Sequence, residues 1–162
     1  MSSKLIMNQP MRKIMTSKFP IIRGRLKENY ILSEIDDFFS SVKMHEKNEQ
    51  KCFSVKDFFA LDSYTQNVNT SIMEWEWGTN EIYLDKTLIQ RQYKKSILLS
   101  IRIIEKVLRE RFPDNLFLII FVVQFGKYRN ISIRICQDFG ESVLDKNLEK
   151  YVQPVMQVHL KT

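Results

Sequence analysis

The fold is decided by residues 84–125, which read LDKTLIQRQYKKSILLSIRIIEKVLRERFPDNLFLIIFVVQF. In the first part of this stretch, five side chains fall within one narrow sector of a helical wheel: Tyr93, Ile97, Ile101, Ile104 and Leu108. Pro113 follows, and proline ends a helix because it lacks the backbone N–H and clashes with the preceding turn. The spacing predicts one long amphipathic helix from about Leu84 to Arg111.

An apolar run follows the predicted helix. Residues 116–125 are nearly all apolar and rich in isoleucine, valine and phenylalanine, which is typical of a strand covered on both faces. We therefore expect this strand to lie in the interior of its sheet. After a connection of hairpin length at residues 126–130, isoleucines alternate with other residues, which predicts a second strand with one face in water.

Residues 70–77 show a strict alternation. On a strand, the apolar side chains would point to one face and the acidic side chains to the other: Met73, Trp75 and Trp77 against Glu74 and Glu76. The alternation predicts a half-buried strand. Two carboxylates at this spacing can carry out acid–base chemistry or bind a cation. They are also typical of the solvent side of a strand, and no third ligand accompanies them.

Shorter patterns complete the predicted fold. Capping-box sequences predict helices that begin at Ser33 and Ser54, with a loop at residues 45–51 between them. A last strand is predicted at residues 155–160, directly after Pro154. Together these elements predict a two-layer α+β fold, in which one long amphipathic helix packs on a mainly antiparallel four-stranded sheet and extra helices lie toward the N-terminus. The same order of elements occurs in ferredoxin-like folds, which would place the most apolar strand at an edge.

The positive charge of the chain is unevenly distributed. The chain has 162 residues and a formal net charge of +6. Residues 1–27 contain seven lysines and arginines and no acid, so the other residues together carry a charge of −1. We expect a basic, flexible arm at residues 1–27 and a single α+β domain at residues 28–162.

The composition also limits the compartment and the chemistry. The longest apolar run, at residues 116–123, is too short to cross a membrane, and the N-terminal residues do not resemble an export signal. Cys52 and Cys136 are the only cysteines, and we expect two reduced thiols in a cytoplasmic protein. Because the sequence has no Cys/His cluster and no glycine-rich phosphate loop, neither a metal nor a cofactor is expected.

A stripe of cations marks the predicted long helix. Helical spacing aligns five basic residues on the side opposite the apolar sector: Arg91, Lys95, Arg102, Lys106 and Arg109. Such a stripe can bind phosphate groups or an acidic partner. It is also typical of the solvated side of an amphipathic helix, where the helix dipole favours cations near the C-terminus.

Two further candidate sites lie on the predicted strands and their connection. The connection at residues 126–130 presents Lys127, Tyr128 and Arg129, and it is either a binding loop or a plain hairpin turn. Cys136 and His159 would form a dyad if the strands that carry them were paired, although neither residue lies in a nucleophile motif. The sequence therefore indicates a non-enzymatic protein-binding module. The alternative is a nucleic-acid-binding protein that uses the basic arm and the stripe of cations.

Three short segments carry a resemblance to known proteins. Within residues 75–157, about half of the chain, these segments are Glu110-Arg111-Phe112-Pro113, Phe125-Gly126-Lys127-Tyr128 and Tyr151-Val152-Gln153-Pro154. They are similar to segments of the small cytoplasmic immunity proteins of bacterial contact-dependent growth inhibition and other polymorphic toxin systems. The resemblance implies a single domain that binds a cognate toxin domain and blocks it. Because immunity proteins against nucleases are often acidic, a nearly neutral body implies another target or an acidic toxin surface.

Overall fold

The computed structural model describes residues 4–17, 27–56, 58–60, 71–89, 92–125, 130–140 and 144–161. Its helices and strands are, in chain order, β1 (Lys4–Met7), α1 (Gln9–Thr16), α2 (Glu28–Ser41), β2 (Lys43–Lys47), β3 (Gln50–Ser54), α3 (Ile72–Thr79), β4 (Glu81–Asp85), α4 (Lys86–Ile89), α5 (Tyr93–Arg111), β5 (Leu116–Gln124), β6 (Asn130–Gln137) and β7 (Val155–Lys161). Two short 3₁₀ turns lie at Phe58–Ala60 and Leu148–Lys150. The predicted α+β class is confirmed.

Among the described residues, the main sheet has five antiparallel strands in the order β1-β7-β5-β6-β4, and β2 pairs with β3 in a separate hairpin. The sheet is therefore one strand larger than predicted. The apolar strand β5 lies at its centre, as predicted, between β6 and β7. This position excludes the ferredoxin-like arrangement, which would place β5 at an edge of the sheet.

The larger apolar core covers one face of the sheet. Alternate residues of β5 point into it, beginning with Phe117 and ending with Val123. Helices α2 and α5 and the β2–β3 hairpin supply the opposing side chains. Ile97, Ile104 and Leu108 of α5 are fully buried there, which confirms the apolar sector predicted for this helix. The Phe53 ring of β3 meets the Phe117 ring edge to face, with 5.0 Å between the ring centres.

The second face of the sheet is also covered. Leu118 and Ile120 of β5 join a smaller buried cluster with side chains from α3, β6, the 3₁₀ turn before β7 and the first residue of β7: Met73, Cys136, Leu148 and Val155. The two-layer prediction and the expected solvated face of β6 are therefore wrong. Ser132 and Cys136, which were expected in water, are buried because α3 and the segment around Leu148 pack on this side.

Residues 72–79 form helix α3 and not the predicted strand. A capping box starts the helix: the Ser71 hydroxyl accepts from the Glu74 N–H at 3.2 Å, and the Glu74 carboxylate accepts from the Ser71 N–H at 2.9 Å. The alternation of tryptophan and glutamate is therefore not an alternation of inside and outside. Glu76, which was predicted to face solvent, is fully buried.

The predicted long helix begins later than its pattern suggested. Residues 81–85 are strand β4, in which Ile82 and Leu84 are buried and Tyr83 between them is exposed on the other face. Helix α5 starts only at Tyr93, after the four residues of α4. The period-2 pattern of β4 is five residues long, and it merges with the first apolar positions of the helical pattern.

The segment between α2 and α3 also differs from the prediction. Residues 43–54 form the β2–β3 hairpin where a loop had been expected, and Asn48 and Glu49 make its turn with φ angles of 49° and 65°. Ser54 ends β3 and does not begin a helix, and the only helical residues that the structure describes between β3 and α3 are the 3₁₀ turn at Phe58–Ala60. Asp57 and residues 61–70 lie outside the described residues.

Residues 4–17 belong to the domain and not to a free basic arm. Strand β1 pairs with β7, so that Met7 lies opposite Met156. Helix α1 buries Met11 completely in the larger core. The apolar positions of this segment pack against the fold despite its positive charge, and the predicted boundary at residue 27 is wrong for this part of the chain. The structure does not describe residues 1–3 and 18–26.

Asn8 connects the start of α1 to the opposite end of the sequence. Its side-chain oxygen accepts from the N–H groups of Met11 at 3.1 Å and Val155 at 3.0 Å. Its side-chain nitrogen donates to the carbonyl groups of Tyr151 at 3.1 Å and Gln153 at 2.7 Å. One fully buried amide therefore caps α1 and fixes the approach to β7.

Candidate functional site

The solvent side of α5 presents most of the predicted stripe. We call Lys95, Leu98, Arg102, Lys106 and Arg109 the α5 face. Its four cations are all exposed, and Leu98 between them is 48% exposed. The opposite side of the helix is buried in the larger core, so the cations share one surface, as their spacing predicted. Arg91, the fifth predicted member, lies outside the described residues.

Two carboxylates that sequence reasoning missed neutralise part of this face. Arg109 forms an ion pair with Glu105 at 2.6 Å, and Lys106 forms one with Glu110 at 3.9 Å. Both pairs have the i,i+4 spacing that brings side chains together on a helix, so the signal was present in the sequence. Within the described part of the chain, neither Lys95 nor Arg102 has an ion-pair partner. These two residues are the available cations of the α5 face.

An aromatic contact brings the end of β5 toward the first turn of α5. The rings of Tyr93 and Phe125 meet edge to face with 6.2 Å between their centres, and Phe125 is 60% exposed. Phe125 directly precedes the predicted basic tip. Lys127, Tyr128 and Arg129 themselves lie outside the described residues, so their predicted role stays a prediction.

Glu74 and Glu76 do not form a carboxylate site. On a helix, residues two apart point to different sides, and only Glu74 is exposed, where it caps α3. The prediction of a surface pair on one strand face is therefore wrong. The two carboxylates have unrelated roles.

Glu76 holds three elements together from inside the fold. One carboxylate oxygen accepts from the Phe53 N–H of β3 at 2.6 Å and from the Gln137 side-chain amide at 2.7 Å. The other oxygen accepts from the Gln137 N–H of β6 at 2.6 Å. Burial raises the pKa of Glu76 to about 7, and these hydrogen bonds oppose that rise. The carboxylate is thus a structural connection between α3, β3 and β6.

We expect Glu76 to make stability depend on pH. Its pKa of about 7 in the folded protein lies above the ordinary value of 4.5, so the folded state holds a proton that the unfolded chain releases. The resulting stabilisation is complete below about pH 4.5 and is lost as the pH rises through about 7. Urea titrations across this range should show a fall in the unfolding free energy that the Glu76→Gln variant lacks. Identical pH profiles for the two proteins would contradict this assignment.

Arg134 and Glu81 form a second connection that sequence reasoning missed. The guanidinium donates to the two Glu81 oxygens at 3.1 and 3.0 Å and to the Trp77 carbonyl at 2.9 Å. It also lies 4.1 Å from the centre of the Trp77 ring. Glu81 accepts a further hydrogen bond from Tyr83, which raises the pKa of that phenol. These contacts attach the end of α3 to β4 and β6.

The Cys136–His159 dyad does not form. Strand β5 lies between β6 and β7, and Leu118 is the register partner of both residues. Their backbones are therefore two strand spacings apart, about 10 Å. Burial raises the pKa of the Cys136 thiol, and His159 instead contacts the Asp138 carboxylate at 2.6 Å. This dyad was the only nucleophile arrangement that the sequence suggested.

Neither the described residues nor a comparison with known proteins indicates a metal site or a family for the chain. Among the described residues, no group of three or more His, Cys, Asp or Glu side chains could hold a metal ion. No helix in this part of the chain is both long enough and apolar enough to span a membrane. Comparison with protein-family models, curated proteins and solved structures identifies no match for the chain.

Proposed function

We propose that the protein is a non-enzymatic protein-binding module of the immunity type, which binds a cognate bacterial toxin domain in the cytoplasm and blocks it. The α5 face carries this proposal, because it exposes an aliphatic side chain among cations on a helix whose other side is anchored in the core. Exposed apolar side chains with a charged surround are typical of protein interfaces. The resemblance of residues 75–157 to immunity proteins supports the choice of partner.

The positions of the chemically active side chains agree with a binding role. The Glu76 carboxylate, the Arg134 guanidinium and the Cys136 thiol all lie within or against the packed interior, and each contacts backbone or neighbouring side chains there. Such groups stabilise the scaffold on which a rigid binding surface depends. The α5 face, by contrast, remains open to solvent along the helix.

Co-expression with the toxin domain encoded by a neighbouring gene tests this proposal. We expect the chain to restore bacterial growth and to form a stable complex with that domain in size-exclusion chromatography. A toxin domain from an unrelated system serves as the control, because a cognate inhibitor should leave its toxicity unchanged. If the neighbouring toxin domain neither binds the chain nor loses its toxicity, the proposal is wrong.

A further inference from the structure

We propose that the α5 face docks a protein whose contact surface surrounds an apolar pocket with carboxylates, and that Leu98 enters this pocket. The proposal rests on the binding function proposed above and specifies the partner chemistry. The α5 face extends from Lys95 to Arg109, about 21 Å along the helix axis at 1.5 Å per residue. That length is enough for a helix to form the centre of a protein interface.

The charges of the α5 face define the complementary surface. Lys95 and Arg102 lie three and four residues from Leu98, so one cation stands on each side of it along the helix. Glu105 and Glu110 balance Arg109 and Lys106 but leave this pair of cations unpaired among the described side chains. A partner with carboxylates at matching positions would gain charge-assisted hydrogen bonds at the rim.

Leu98 supplies the apolar centre. It is nearly half exposed, on the side of α5 that faces away from the buried Ile97 and Ile104. An exposed leucine on a rigid helix costs little conformational entropy to bury, and the surrounding long side chains would exclude water from the contact. Leu98 is therefore the residue whose burial should contribute most to binding.

The same features favour a protein over a nucleic acid. Glu105 and Glu110 pair with Arg109 and Lys106, so the α5 face lacks the run of unpaired cations along which a phosphate backbone would bind. No aromatic side chain lies between Lys95 and Arg109 on this side of the helix, whereas proteins that bind single strands stack bases on aromatic rings. The exposed ring of Phe125 lies beyond the first turn of α5.

Matched variants of the full chain test the surface. Leu98→Asp is paired with Leu116→Asp, because Leu116 is equally exposed at 48% but points to the opposite face of the sheet. Arg102→Glu is paired with Lys146→Glu, another exposed cation outside α5. Binding is measured to the neighbouring toxin domain, to a labelled glutamate-rich peptide that contains leucine, and to single-stranded DNA of equal charge, all at about physiological salt. Circular dichroism confirms folding of each variant.

We expect Leu98→Asp and Arg102→Glu each to weaken binding to the toxin domain and to the peptide at least about tenfold, and both controls to change it less than about twofold. If the toxin domain does not bind while the peptide binds with this pattern, the immunity function is wrong and the surface stands. Toxin binding that neither α5 variant weakens would overturn the surface and leave the function intact. Tighter binding to DNA than to the peptide would also overturn the proposal and identify a nucleic-acid site.

Discussion

Replacement of Glu76 by alanine should lower the free energy of unfolding by about 4 kcal/mol, the largest effect that we expect from a single substitution. The change removes the acceptor of three short hydrogen bonds, which join α3 to Phe53 and Gln137. Each N–H left without a partner in a buried site costs about 1–3 kcal/mol. Because ordinary domains have a total stability of about 5–15 kcal/mol, the variant should lose a large share of its stability.

Glu74→Ala is the matched control for this prediction. It removes the same side chain two residues earlier on the same helix, where Glu74 is exposed and only completes the capping box. We expect a loss of about 1 kcal/mol or less. Urea titration of both variants at about neutral pH measures the difference. Equal losses for the two variants would show that Glu76 does not connect the elements as its hydrogen bonds indicate.

Replacement of Asn8 by alanine should cost about 3 kcal/mol. The substitution removes the cap of α1 and leaves the N–H of Val155 and the carbonyl groups of Tyr151 and Gln153 without their partner. Asn147→Ala is the control, because Asn147 also accepts a capping hydrogen bond, at 3.2 Å from the Glu149 N–H, but lies at the surface. We expect that control to lose less than about 1 kcal/mol.

Asn8→Asp separates the two roles of this side chain. Aspartate is as good a helix cap as asparagine, so a residue that only caps α1 would tolerate the change. The aspartate would, however, place carboxylate oxygen beside the carbonyl groups of Tyr151 and Gln153, where the amide now donates. We therefore expect a loss of more than about 2 kcal/mol in thermal or urea unfolding. A variant as stable as the wild type would reduce Asn8 to an ordinary cap.

Elements marked by long, uniform sequence patterns were predictable. The apolar sector of α5 repeats one period over many residues, and the nine-residue strand β5 is a nearly continuous apolar run; the structure buries both as these patterns predict. The central position of β5 followed from its lack of polar residues. Patterns of five to eight residues were less informative, as β4 and α3 show, because an apolar residue every second position also fits parts of a helix.

Contacts between distant segments could not be predicted in this way. The burial of Glu76 depends on N–H groups that β3 and β6 present together, at positions 23 and 61 residues away in the sequence. The docking of β1 likewise depends on the open edge of β7. A local pattern assigns such residues to solvent because their side chains are charged or their segment is basic. Only the tertiary fold supplies the partners that make their burial favourable.

The position of the α5 face was predictable from the sequence, but the number of its unpaired cations was not. Helical spacing placed its cations on one side, and the structure agrees for Lys95, Arg102, Lys106 and Arg109. Glu105 and Glu110, each one helical turn from its partner, form ion pairs with two of these cations, Arg109 and Lys106. A count of cations alone therefore overstated the attraction of this face for phosphate. The exposed Leu98 indicates the kind of partner better than the cations do.

The pairing of β1 with β7 determines the order in which the chain can complete its sheet during synthesis. Val155 donates to Asn8 across 147 residues of sequence, and β7 lies between β1 and β5 in the sheet. The ribosome makes β1 first, but its place in the sheet exists only after β7 has been made and has paired with β5. Contacts of such long separation slow folding, because a large loop must close before they form. A nascent chain that stopped before residue 155 would thus lack β7, and β1 would have no strand with which to pair.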